Sequence, residues 1–132
     1  MKPSSARWAV IGILAALGTG AGLWLLPSSH ALDIYVVLLS LFAGIYVGSA
    51  LSQKDSRAIA RESMVAGAYV MLALLGRWVS PRFLVVGYLT HGVWDVFHET
   101  RLLRRSLTSW WPLFCLSYDW TLAALIYIRW VR

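Results

Sequence analysis

One cysteine, three histidines and six acidic residues are all that 132 residues hold of the side chains that most often do chemistry. With Cys115 alone, an internal disulfide and any thiolate-cluster metal site within one chain are excluded. Acids are outnumbered two to one by twelve Lys and Arg, giving a formal charge of +6. The basic residues sit scattered at the ends of apolar runs, with no basic run and no alternation of basic and aromatic residues. That distribution argues against nucleic acid as a partner and for the anionic headgroups of a membrane.

Apolar residues make up 59% of the chain and mean hydropathy is +0.65, more apolar surface than one soluble core of this length can bury. About 20 apolar residues cross the hydrocarbon, and the sequence divides into five such stretches, at 8–26, 32–51, 63–79, 82–100 and 110–130. The expected fold is therefore an all-α polytopic transmembrane bundle forming a single domain over 1–132, with no length left for a soluble domain. Lys2, Arg7, the first apolar run and Ser29-His30-Ala31 resemble a secretory signal. The apolar run is too long for one, and an uncleaved helix is expected.

Five spans divide the basic residues unequally. Lys2, Arg7, Lys54, Arg57, Arg61, Arg101, Arg104 and Arg105 share one side, and Arg77, Arg82, Arg129 and Arg132 the other, which puts the N-terminus in the cytoplasm. Trp8, Trp24, Trp78, Trp110, Trp111 and Trp130 fall at span ends, where tryptophan anchors a helix at the interface. Small residues recur every four positions in the first span (Gly12, Ala16, Gly20) and in the second (Ser40, Gly44, Gly48). Such stripes admit a close neighbour, and the two spans are expected to pack as a hairpin. Asp33 suits a helix N-terminus. Arg61 and Glu62 are expected to carry the third helix past the headgroups, while Arg77 and Arg82 snorkel.

The fourth span breaks the apolar pattern. His91, Asp95 and His98 stand at i, i+4 and i+7 and so share one helix face, with Tyr88 above and Glu99 beside them. The fifth span carries Trp111, Cys115, Tyr118 and Asp119 in one stripe. Counting outward from the short connection brings His98 to the level of Trp111, Asp95 to Cys115, and His91 to Tyr118 and Asp119. An acid at mid-span costs on the order of 3 kcal/mol to insert, so these faces must meet each other or water. The expectation is a cytoplasm-facing pocket floored by His91 and Asp119 and lined by Asp95, His98, Tyr118, Cys115 and Trp94, with Glu99 and Arg101 at its mouth.

Three chemistries fit His91, Asp95, His98 and Asp119. They form a ligand set for a divalent metal such as zinc or iron, or a metal-free acid and base pair, or a proton relay of a transporter. A haem held by two histidines on different helices is disfavoured, because His91 and His98 share one helix and His30 lies in a turn. The competing expectation is structural: two hydrogen-bonded pairs, His91 with Asp119 and Asp95 with His98, that only hold the two helices together.

The elements Trp94-Asp95-x-x-His98-Glu99 and Trp111-Pro112-x-x-Cys115-x-x-x-Asp119 resemble those of a type of small bacterial integral membrane protein. That type pairs H-x-x-W-D-x-x-H-H with a later W-x-P-x-x-C-x-x-x-D. Glu99 stands where the second histidine of the pair would be, replacing a nitrogen donor with an oxygen. The resemblance spans the last two helices and implies a bacterial inner-membrane location and the joint importance of His91, Trp94, Asp95, His98, Cys115 and Asp119. The expected function is binding of, or chemistry on, a lipophilic ligand, with Tyr88, Trp94, Glu99, Cys115 and Tyr118 as contacts and Trp120 as a further wall. Membrane lipids are the expected partners. The competing expectations are an accessory subunit docked on a membrane partner and a homo-oligomeric proton-coupled transporter.

Overall fold

The computed structural model describes residues 3–99 and 110–132, with side chains for 6–98 and 110–132. The described residues form five helices and no strand: α1 (Pro3–Trp24), α2 (Ser28–Ser52), α3 (Ser56–Trp78), α4 (Arg82–Glu99) and α5 (Trp111–Ile126), the last continuing into a π-helical turn at Tyr127–Val131. The chain is thus an all-α helical bundle. Helices α1, α2, α3 and α5 with its continuation are long and apolar enough to cross a membrane. Helix α4, at 18 residues, reaches about 27 Å. It carries His91, Asp95 and His98, all of which the bundle buries.

Local chemistry sets the helix limits. Pro27 occupies the cap ahead of α2 with φ −52° and ψ 143°, and α2 ends where Lys54 turns into the left-handed region at φ 55°. The Asp55 carboxylate then accepts from the amides of Arg57 and Ala58, both at 3.1 Å, which starts α3 at Ser56. The sequence expectation put this span at 63–79. The N-cap moves it forward and places Arg57, Arg61 and Glu62 on the helix. Pro81 ends its connection with its carbonyl accepting from Val85 (3.2 Å), and Pro112 lies in the first turn of α5.

Helices α2 with α3, and α4 with α5, pack as antiparallel hairpins, and α3 packs on α4. The expected hairpin of the first two spans does not form. Helix α1 instead lies along α5 and parallel to it, with few contacts to α2. Trp8 stacks on Trp110 at one end (ring centroids 4.7 Å). At the other, the Arg129 guanidinium donates to the carbonyls of Leu23 (2.9 Å) and Leu26 (3.0 Å), capping α1 with a cation.

Gly12 explains the choice of partner. A Cβ there would run into the Ser117 hydroxyl and the Phe114 carbonyl, so α5 approaches α1 to backbone contact. Gly44 in the corresponding stripe of α2 has nothing within 4 Å. The stripe principle holds for α1, with a different neighbour. Gly12→Ala is expected to cost about 2 kcal/mol by forcing α1 off α5, and Gly44→Ala to cost nothing, as read from SDS-titrated unfolding in mixed micelles.

A buried core of Tyr35, Leu39, Leu84, Tyr88, Leu122 and Ile126 fills one half of the bundle. Leu14, Leu25, Leu41, Met64 and Trp78 point outward and are exposed, an apolar exterior too extensive for a protein that faces only water. Arg77, read from the sequence as a headgroup anchor, forms an ion pair with Asp33 and so ties α3 to the start of α2.

Candidate functional site

Helix periodicity delivers His91 and Asp95 to the face of α4 that meets α5. There His91 Nδ1 donates to Asp119 Oδ2 at 2.8 Å and stands 3.5 Å from Asp95 Oδ2. All three side chains are buried. One potential ligand atom from each lies within 4.8 Å of the other two. The depth matching made by counting from the connection therefore holds at His91 and Asp119. Tyr69 from α3 meets the His91 ring edge to face (5.0 Å), and Phe42 from α2 lies 6.3 Å away, so the imidazole is held on two sides by aromatic rings.

These residues form one wall of a cavity of about 290 Å³ between α2, α4 and α5. The opposite wall comes from α2, through Leu38, Phe42, Ile45 and Tyr46. Helix α5 contributes Trp111, Phe114, Cys115 and Tyr118 besides Asp119. Phe42 meets Tyr118 edge to face at 5.7 Å, and the Tyr118 hydroxyl shares a 2.9 Å hydrogen bond with Thr19 of α1, closing that end. The cavity is thus apolar and aromatic around a polar patch made by one imidazole and two carboxylates.

The polar patch is incompletely satisfied. Among the described residues, both oxygens of Asp95, Nε2 of His91 and the hydroxyl of Tyr46 are buried without a hydrogen-bond partner. Buried polar atoms are paired in the large majority of cases, and an orphan carboxylate is among the costliest exceptions. Tyr46 lies beside Asp95 and interacts with it, without a hydrogen bond of good geometry. Four polar atoms without a hydrogen bond of good geometry thus border one cavity.

His98 is elsewhere. It was expected to join Asp95, but its Nδ1 reaches the Trp94 carbonyl (3.0 Å) and its Nε2 the Glu62 carboxylate of α3 (3.2 Å). Tyr46 stacks on its ring at 3.6 Å, and Trp94 meets it edge to face at 5.0 Å. Glu62 in turn accepts from the Arg61 guanidinium at 2.7 and 3.0 Å. Arg61, Glu62 and His98 thus form a second, fully paired cluster, and His98 is not one of the three residues that group as potential metal ligands.

Several expected contacts take other places. Tyr88 is fully buried and donates its hydroxyl to the Tyr35 carbonyl (2.7 Å), inside the core and away from the cavity. Trp94 and Trp120 line a separate outer groove with Leu89, Thr90, Val93 and Phe97, and the Trp120 indole donates to the Leu89 carbonyl (3.1 Å), fastening α5 to α4. The Glu99 side chain and Arg101 lie outside the described residues. Of the motif that carries the resemblance, His91, Asp95, Trp111, Cys115 and Asp119 line the cavity, while Trp94 and His98 brace α4.

No family model, no curated protein and no solved structure matches this chain. The reading of the site therefore stands on its geometry. Sequence reasoning missed Glu62 and the whole α2 wall. Glu62 is 2% exposed, yet it sits in a basic, polar stretch that reads as a solvated connection. Leu38, Phe42, Ile45 and Tyr46 do recur at helical spacing, a usable signal of one face, but nothing polar on α2 marks which helix that face meets.

Proposed function

We propose that this is a five-span protein of the bacterial inner membrane, N-terminus in the cytoplasm, that binds or acts on a lipophilic molecule in the cavity between α2, α4 and α5. The observation that carries this reading is Asp95. Among the described residues neither of its buried oxygens has a hydrogen-bond partner, with His91 Nδ1 3.5 Å away, and it faces a cavity whose other walls are apolar and aromatic. A molecule with a hydrocarbon body and a compact polar head matches that division. Its body would lie along Leu38, Phe42, Ile45 and Phe114, and its head would meet His91, Asp95 and Asp119.

Two features support the amphiphile over a structural role for the polar patch. A patch that served only to lock helices would be paired, as the Arg61, Glu62 and His98 cluster is. The α2 wall also stands back from α5 over the cavity, where simple packing would have closed the gap.

The test uses a long-chain alcohol carrying a photoactivatable diazirine in its tail, added to the protein in vesicles of bacterial lipid. Labelling is expected on Phe42 and Phe114. Ile45→Trp, which fills the cavity, is expected to reduce it about tenfold, the effect of roughly 1.4 kcal/mol in binding. Label confined to outward residues such as Leu41 and Met64, or unchanged by Ile45→Trp, would overturn the reading.

A further inference from the structure

We infer that His91, Asp95 and Asp119 form a mononuclear divalent-metal site whose vacant position faces the cavity, where the oxygen-bearing head of the lipophilic molecule or a water completes the coordination. The inference rests on the cavity reading above and names the chemistry of its polar end. Three independent features of the site lead to it.

The first is spacing. Zinc binds imidazole nitrogen and carboxylate oxygen at roughly 2.0–2.2 Å. Donors sharing such an ion stand about 3.0 Å apart in an octahedral arrangement and about 3.4 Å apart in a tetrahedral one. His91 Nδ1 lies 2.8 Å from Asp119 Oδ2 and 3.5 Å from Asp95 Oδ2, so the side chains already hold donor spacings that bracket both geometries. The metal would take the place of the Nδ1 proton that now joins His91 to Asp119.

The second is charge. Glu62 has the Arg61 guanidinium, and Asp33 has Arg77. Among the described residues, the one basic side chain within ion-pair distance of Asp95 and Asp119 is His91. With both carboxyls ionised, even a protonated imidazole balances one and leaves the other uncompensated in the middle of the bundle. A divalent ion with neutral His91 balances both, and it bonds the Asp95 oxygens, which have no hydrogen-bond partner among the described residues.

The third is the shape of the ligand set. Three protein ligands with an open position beside a cavity are the arrangement of catalytic metal sites, whereas structural sites are closed by four. One nitrogen and two oxygens suit zinc, iron or manganese and disfavour copper(I), which takes sulfur. Cys115 lines the same cavity but is not among the three grouped residues, so no thiolate enters the set.

The experiment takes the full chain, purified in detergent without chelator, for elemental analysis. The protein is then stripped with EDTA and titrated with Zn(II) and Co(II). Expected are close to one equivalent of metal in the wild type and a visible Co(II) absorption band of a four- or five-coordinate ion. Asp95→Asn and Asp119→Asn, checked for unchanged helicity by circular dichroism, should lose at least tenfold in metal affinity and lose the band. Thr90→Ala, outside the cavity, should keep both. A wild type that neither carries nor takes up metal overturns the site, as do Asn variants that bind like the wild type. If metal is absent and the photoactivatable alcohol still labels Phe114, the metal site falls and the cavity reading stands; if labelling also fails, both fall.

Discussion

Glu62→Ala is expected to cost about 3–5 kcal/mol, the largest loss of any single substitution proposed for this chain. Glu62 is 2% exposed and bonds His98 on one side and Arg61 on the other. Alanine leaves the His98 Nε2 without its acceptor and the adjacent guanidinium without its counterion, inside a cluster that contacts α2, α3 and α4. The cost belongs to the broken pair more than to the lost contact. Glu62→Met combined with His98→Leu should therefore recover much of the loss, since both buried polar partners leave together. SDS-titrated unfolding of the two single variants and the double would yield the coupling energy. A coupling near zero would show that the pair contributes nothing to holding α3 against α4.

The five helices were legible because apolar composition at spanning length and proline or glycine punctuation act locally. Pro27, Pro81 and Pro112 stand at or beside the starts of α2, α4 and α5. The start of α3 was misplaced because an N-cap works through one side chain, Asp55, within a polar stretch that otherwise reads as loop. Helix pairing was harder. Gly12, Ala16 and Gly20 announce a close contact, but a stripe of small residues says that some helix approaches and not which one. The chain connection suggested α2, and the answer was α5, with Thr19 meeting Tyr118 99 residues further on and the two helices running parallel.

The site shows the same division. His91, Asp95 and Asp119 were legible as a group because two antiparallel helices joined by a short connection can be matched in depth by counting. His98 shares their helix face but lies two turns from His91. At that level α3 intervenes with Glu62, a non-local partner that periodicity on α4 cannot foresee. Tyr88 and Trp120 were assigned to the site from proximity along the helix. Each is turned by its own hydrogen bond, to Tyr35 and Leu89, toward the core and the outer face. What the sequence lacked throughout was the identity of the α2 face, because an apolar wall carries no polar label to match.

Asp95→Leu is expected to act in the opposite direction to Glu62→Ala. In protein stripped of metal with EDTA it should raise the unfolding free energy by up to about 4 kcal/mol, the upper end for replacing buried charge with apolar bulk. The wild-type carboxylate is 1% exposed, neither of its oxygens has a hydrogen-bond partner among the described residues, and it borders a cavity of about 290 Å³. On the proposed reading its burial is a cost that a bound partner offsets, as for groups retained for function at the expense of stability. Adding Zn(II) should reverse the order of the two proteins. Wild type gains by the logarithm of free metal over its dissociation constant, and Asp95→Leu does not respond. A variant less stable than the stripped wild type would mean that Asp95 is satisfied in the free protein, which would remove the reason to place an ion or a polar head beside it.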